Sequence, residues 1–209
     1  MKKKTLNKGK IDEKAFIKTK DSIVSQFESA VEKYSDFVAI KSRSGNMTYA
    51  ELNMQANQIA KLLLQKNQES ANRRILKRGV AILLEKKPTL FSSIIGVLKT
   101  GSFFVCLNLD FPEKRLEFVI NDSGVRMIIT DTQHFKLAKK LACYSRYSHV
   151  VIINLDSLSL KAIPKNIDIP ISSDDDAFIV YTSGTTGKPK GIVYAHKTVL
   201  ACIQGASNH

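Results

Sequence analysis

Cysteine is scarce in this sequence. Cys106, Cys143 and Cys202 are odd in number, widely separated and form no CxxC pair. That spacing argues against a disulfide framework or a cysteine zinc site, and reduced, mostly buried thiols are the expectation. Long apolar runs are also missing: none approaches the roughly 18 residues of a membrane span. The opening Met1-Lys2-Lys3-Lys4 is followed by no apolar stretch, so it does not read as a secretory signal. A cytoplasmic chain without a membrane span is expected. No internal repeat is present. The first 20 residues lack arginine and hold one aromatic, Phe16, while eight lysines stand against Asp12 and Glu13. Part of the formal charge of +13 therefore sits at the start. An arm that binds nucleic acid would interleave rings on which bases stack. Residues 1–20 read instead as a basic, solvated, disordered tail with no specific nucleic-acid partner.

What is present is a core. Hydrophobic residues make up 44% of the 209, enough for a sizeable buried interior. Asp21 or Ser22 can cap a helix whose stripe is Ile23, Phe27, Val31 and Tyr34. Val38 to Ile40 reads as a short strand. Thr48-Tyr49-Ala50-Glu51 is a capping box, and the helix behind it should bury Leu52, Ala56, Ile59, Ala60 and Leu63. The polar, basic stretch 67–78 reads as a loop.

Val80 to Leu84 is apolar without alternation, as in a strand covered on both faces. Pro88 suits a first helical turn. The helix it opens carries Leu90, Phe91, Ile94, Ile95, Val97 and Leu98, apolar nearly all round, with Gly101 where a C-terminal cap belongs. Phe103 to Leu107 is a further strand. A helix runs from Pro112 through Ile120 and stops at Gly124. Strands at Met127 to Thr130 and Val150 to Ile153 flank a helix around Lys136 to Leu141. This βαβα rhythm predicts a three-layer α/β fold, a mostly parallel sheet flanked by helices. Residues 157–176, with Pro164, Pro170 and Asp174-Asp175-Asp176, read as a connection whose aspartates make a solvated turn rather than a cation site.

The chemistry concentrates near the end. Ala177 to Tyr181 is a strand that runs into Thr182-Ser183-Gly184-Thr185-Thr186-Gly187-Lys188-Pro189-Lys190-Gly191; Ile192 to Tyr194 is again strand-like, and a helix starts near His196. Gly184 and Gly187 permit backbone turns that aim successive N–H groups into one concavity. Thr182, Ser183, Thr185 and Thr186 add hydroxyls, and Lys188 and Lys190 add positive charge. The open end of a parallel sheet is where such folds bind ligands. Thr182, Ser183, Gly184, Thr185, Thr186, Gly187 and Lys188 are thus candidates to cradle a polyphosphate. They are not a Walker A loop: Thr182 stands where its first glycine belongs, and Pro189 follows Lys188.

The unbroken run Tyr181 to Gly191 resembles the signature of the AMP-forming (adenylate-forming) ligase superfamily, which includes acyl-CoA synthetases, luciferases and the adenylation domains of nonribosomal peptide synthetases. Met47-Thr48-Tyr49-Ala50-Glu51-Leu52 resembles the family's first core motif. Leu98-Lys99-Thr100-Gly101, Phe111-Pro112-Glu113-Lys114-Arg115-Leu116 and Asp122-Ser123-Gly124 resemble the second, most like the peptide-synthetase branch. Around Cys106-Leu107-Asn108-Leu109 that branch would show prolines and an aspartate. The resemblance implies activation of a carboxylate, an amino acid in this branch, by Mg2+ and ATP to an acyl-adenylate and pyrophosphate. It gives the signature loop the β and γ phosphates to hold. It implies as partners ATP, a carboxylate substrate and a carrier protein or the remainder of the domain. Against the family pattern, residues 21–209 read as an incomplete N-terminal AMP-binding domain. The later acyl-pocket, magnesium and ribose motifs and the lid lysine have no matching positions, so no catalytic or metal residue is assigned and no turnover is expected of the chain alone. The alternatives are an inactive phosphate-binding module and part of an acyl-CoA synthetase.

Overall fold

The computed structural model describes residues 21–43, 45–69, 79–146, 149–157, 165–183 and 189–207. The basic stretch 1–20, the greater part of the expected 67–78 loop and the stretch 184–188 lie outside the described residues.

Three parallel strands form the centre of the molecule: β3 (Val80–Leu83), β4 (Phe104–Cys106) and β5 (Met127–Thr130). β3 pairs with β5 on one side and β4 on the other. All four residues of β3 and of β5 are buried. The physical reason is the two-residue pleat, which sends neighbours to opposite faces. Ala81, Leu83 and Ile128 enter one core with Leu116, Val119 and Ile120 of α4 (Glu113–Ser123) and Ala138 and Leu141 of α5 (Phe135–Tyr144). Val80, Ile82, Met127 and Ile129 enter a second core with Ile59 and Leu63 of α2 (Tyr49–Glu69) and Val97 of α3 (Pro88–Lys99). An apolar strand without alternation thus fills two cores at once, and the three-layer α/β fold follows.

The sheet has six strands in the order β6-β5-β3-β4-β7-β8, with β6 at Val151–Asn154, β7 at Asp176–Ser183 and β8 at Pro189–Ala195. Every neighbouring pair is parallel except the β7–β8 hairpin. The predicted helix ends hold. Gly101 and Gly124 adopt φ of +71° and +67° just past α3 and α4, a left-handed conformation that glycine enters without a Cβ penalty. The capping box at the start of α2 is formed: the Glu51 N–H donates to Thr48 Oγ1 at 3.2 Å, and the Thr48 N–H donates to Glu51 Oε2 at 2.8 Å.

Several expectations are corrected. The predicted strand at Val38 to Ile40 exists, but among the described residues β1 (Val38–Ser42) pairs only with β2 (Gly45–Thr48), in a separate antiparallel ribbon that the sequence pattern did not show. Residues 67–69 continue α2. Along α1 (Ile23–Tyr34) the stripe Ile23, Phe27, Val31 and Tyr34 is only half-buried, and Val24 is the residue that reaches the core. α3 is not buried by its apolar residues alone, for Phe91 faces outward while Ser92, Ser93 and Lys99 are inside. All three cysteines are free thiols, as expected, but exposed rather than buried. Cys106 sits at the end of its strand, and Cys143 and Cys202 lie on outward faces of α5 and α6 (His196–Ser207).

Candidate functional site

β7 runs parallel to β4 and brings the signature segment to the carboxyl edge of the parallel strands. β8 returns antiparallel, in the register Tyr181↔Gly191, Thr182↔Lys190 and Ser183↔Pro189. Both strands are longer than the sequence suggested: Thr182 and Ser183 belong to β7, and Pro189 and Lys190 to β8. Of the candidate phosphate-binding residues, Thr182 and Ser183 are therefore strand residues at the neck of a hairpin, and the Thr182 hydroxyl lies 3.5 Å from the Lys190 carbonyl oxygen, which accepts from it. Gly184, Thr185, Thr186, Gly187 and Lys188 lie outside the described residues.

The neck is braced by one aromatic side chain. Tyr181 lies across its cross-strand partner Gly191, where an added Cβ would meet the ring at 3.1 Å. That contact is tighter than most side chains tolerate, so the glycine is what admits the ring. Phe118 of α4 meets the same ring edge-on, with centroids 6.4 Å apart. The Tyr181 hydroxyl donates to Asp122 Oδ2 at 2.7 Å. Burial, and then the hydrogen bond to the Asp122 carboxylate, hold the phenol well above its ordinary pKa. Farther back on β7, Phe178 stacks between Phe104 and Tyr194, at 5.3 and 4.9 Å between centroids.

Two clefts open along the same edge. One, of about 330 Å³, lies between β4 and β7 and is walled mainly by apolar side chains, among them Phe104, Phe111, Val180 and Tyr181. The other, of about 450 Å³, lies over the ends of β3 and β4, where Glu85, Lys86 and Asp110 bring charge. Cys106, Leu107 and Asn108 line both. Although Cys106 is exposed to the clefts, the crowding of walls around its thiol removes enough water to push it up to about 11, so it stays protonated near neutral pH.

Two buried polar centres went unread in the sequence. Lys99 is fully buried and pairs with Glu28 of α1. Its ammonium also donates to Asn166 Oδ1 at 3.1 Å, and the amides of Asn53 and Asn57 donate to that same oxygen at 3.0 and 3.2 Å. Burial lowers the Lys99 pKa, with Glu28 opposing it. His196, also fully buried, stands at the start of α6, and its Nδ1 accepts from the Ile23 N–H at 3.2 Å. Accepting at Nδ1 leaves the ring neutral with its proton on Nε2, and burial lowers its pKa against the pull of Asp175. The aspartate run does not gather into a site: Asp174 pairs with Lys197 at 2.5 Å, and Asp175 accepts from the Ser172 N–H at 2.9 Å. Among the described residues no group of three acidic, histidine or cysteine side chains could hold a metal ion. Among them, too, no helix is long and apolar enough to cross a membrane.

A family profile described as AMP-binding enzyme matches residues 27–209. Gramicidin S synthase 2 of Aneurinibacillus migulanus is 35% identical over 186 residues, which are 89% of this chain and 4% of that protein. The N-terminal subdomain of Klebsiella oxytoca NpsA, solved in complex with 3-hydroxybenzoyl-AMSN, superposes with a TM-score of 0.67 at 26% identity; the match covers 84% of this chain and 41% of that one. The N-terminal domain of FACL13 from Mycobacterium tuberculosis, solved with an inhibitor bound, superposes with a TM-score of 0.73 at 26% identity, covering 86% and 45%. The chain thus spans a small part of this large synthase and less than half of the solved N-terminal units it resembles.

Proposed function

The chain belongs to the AMP-binding enzyme family, and on that footing we propose that it is the nucleotide-facing front part of an adenylate-forming ligase acting in the cytoplasm. In the reaction a carboxylate oxygen forms a bond to the α-phosphorus of ATP, the bond from that phosphorus to the β-bridging oxygen breaks, and pyrophosphate leaves. Thr182, Ser183, Gly184, Thr185, Thr186, Gly187 and Lys188 hold the β and γ phosphates through hydroxyls, backbone N–H groups and one ammonium. Charge builds on the departing pyrophosphate, and donors fixed in advance stabilise it as it forms. The observation that carries this reading is the hairpin whose neck stands at the carboxyl edge of a parallel sheet, beside two clefts. The described residues do not supply a magnesium cage of their own. Magnesium usually arrives with substrate phosphates and keeps several waters.

The carboxylate is an amino acid, handed on to a carrier protein. The second motif block and the similarity to gramicidin S synthase 2 support this. A second reading, an aryl or fatty acid passed to a thiol, is favoured by one feature: the proline-free segment Cys106-Leu107-Asn108 lines both clefts, with two of its three side chains apolar. The test of the phosphate cradle is calorimetric titration of chain 1–209 with pyrophosphate and with ATP. Binding that weakens about tenfold or more in Lys188→Ala, the scale of a lost charge-assisted contact, is the expected result. Equal binding by the variant removes Lys188 from the site, and no binding by the folded wild type refutes the cradle.

A further inference from the structure

We infer that Asp122 is a positioning residue for the phosphate cradle, acting through Tyr181 as a strut between the end of α4 and the neck of the β7–β8 hairpin. The inference rests on the phosphate reading above and adds to it a residue outside the signature.

The geometry is specific. Tyr181 is the β7 residue immediately before Thr182, the first candidate phosphate residue, and its hydroxyl reaches Asp122 at 2.7 Å. Its ring covers Gly191, the residue after Lys190 on the returning strand. One side chain therefore touches both strands of the neck and ties them to a helix of the main core. Phe118, one turn before Asp122 on α4, holds the ring from its edge. The remaining support at the neck is thin. β8 pairs on one side only among the described residues, and Lys190 and Ile192 are exposed. The register of β4 with β7 is at Phe104↔Phe178, before the neck, and a two-stranded ribbon that runs past its third strand is marginal by itself, so a fixed external tie decides where its tip stands. A donor array stabilises developing charge only when it is held in place beforehand.

The carboxylate is a surprising choice for this place on electrostatic grounds alone. A negative charge near a polyanion site repels the ligand, so removing it should tighten binding. The strut predicts the opposite sign. In calorimetric titrations of chain 1–209 with pyrophosphate, Asp122→Ala and Tyr181→Phe should each weaken binding about five- to tenfold, less than the full worth of one hydrogen bond to a charged group because the lost bond acts only through the position of the hairpin. The double variant should be no weaker than either single, because both remove the same bond. Asp122→Asn, which still accepts from the phenol, should keep most of the affinity. Tyr181→Phe keeps the ring over Gly191 and serves if Asp122→Ala fails to fold. Unchanged or tighter binding in both single variants would overturn the strut. If the folded wild type binds no pyrophosphate, the phosphate reading fails, and the strut is read from amide hydrogen exchange at Thr182 and Lys190. Faster exchange in Tyr181→Phe then upholds the tie, and identical exchange rejects it.

Discussion

Removing the charge of Glu28 should cost more stability than removing that of Lys99. Both belong to one pair, but their surroundings differ: the Lys99 side chain is fully buried, while that of Glu28 is 23% exposed. In Glu28→Gln the ammonium stays inside the protein, held by neutral oxygens alone. Breaking a buried pair from one side costs about 3–5 kcal/mol, because the partner charge is left uncompensated. The glutamine still accepts a hydrogen bond and water reaches that position, so about 2 kcal/mol is expected here. In Lys99→Met the unbranched chain refills the same space, and the freed carboxylate turns toward water. The losses are then the bonds to Glu28 and Asn166, set against relief from burying an ammonium that burial already disfavours, and a net cost of about 1 kcal/mol or less is expected. The double variant should recover most of what Glu28→Gln loses. Urea unfolding of the three variants and the wild type at pH 7, followed by circular dichroism, gives the comparison. A Lys99→Met protein as unstable as Glu28→Gln, or worse, would refute the reasoning and make the pair a net stabiliser.

Stability should also fall with acid through His196. The folded-state pKa lies below the ordinary 6.5, so its contribution is complete above 6.5 and is lost as pH drops from there toward the folded value. Thermal unfolding followed from about pH 7.5 to 5 should show the decline, and His196→Asn, which keeps an acceptor for the Ile23 N–H without titrating, should flatten it; an unchanged slope in the variant would assign the acid sensitivity elsewhere. At Gly96 the helix propensity of alanine favours Gly96→Ala by about 1 kcal/mol. The new Cβ, however, would stand 2.9 Å from Ile59 Cβ and 3.0 Å from the Ala56 carbonyl oxygen, and overpacking of that kind costs about 1–3 kcal/mol. A net loss of about 1 kcal/mol is expected by urea unfolding, and a more stable variant would show that α2 and α3 can move apart.

The sequence alone determined whatever depends on neighbours along the chain. The capping box at Thr48, the glycine stops at Gly101 and Gly124 and the proline at the head of α3 each act within a few residues, so composition and spacing suffice to find them. The continuous apolar runs at Val80 and Met127 required cover on both faces, which is already a three-layer fold. The Tyr181 to Gly191 run carried the family because its residues are contiguous. Tertiary structure decided what distant segments do to one another. The charge of Lys99 gave no hint of burial, because α3 is closed off by α1 and by the segment carrying Asn166 only after folding. Tyr181 meets Asp122 across 59 residues, and His196 meets Ile23 across 173. The cysteines went the other way: cysteine favours the interior, but position at a strand end or on an outward helix face left them exposed. Periodicity within one element cannot report which other element closes over it, and at this protein's candidate site that closure sets the position of the hairpin neck.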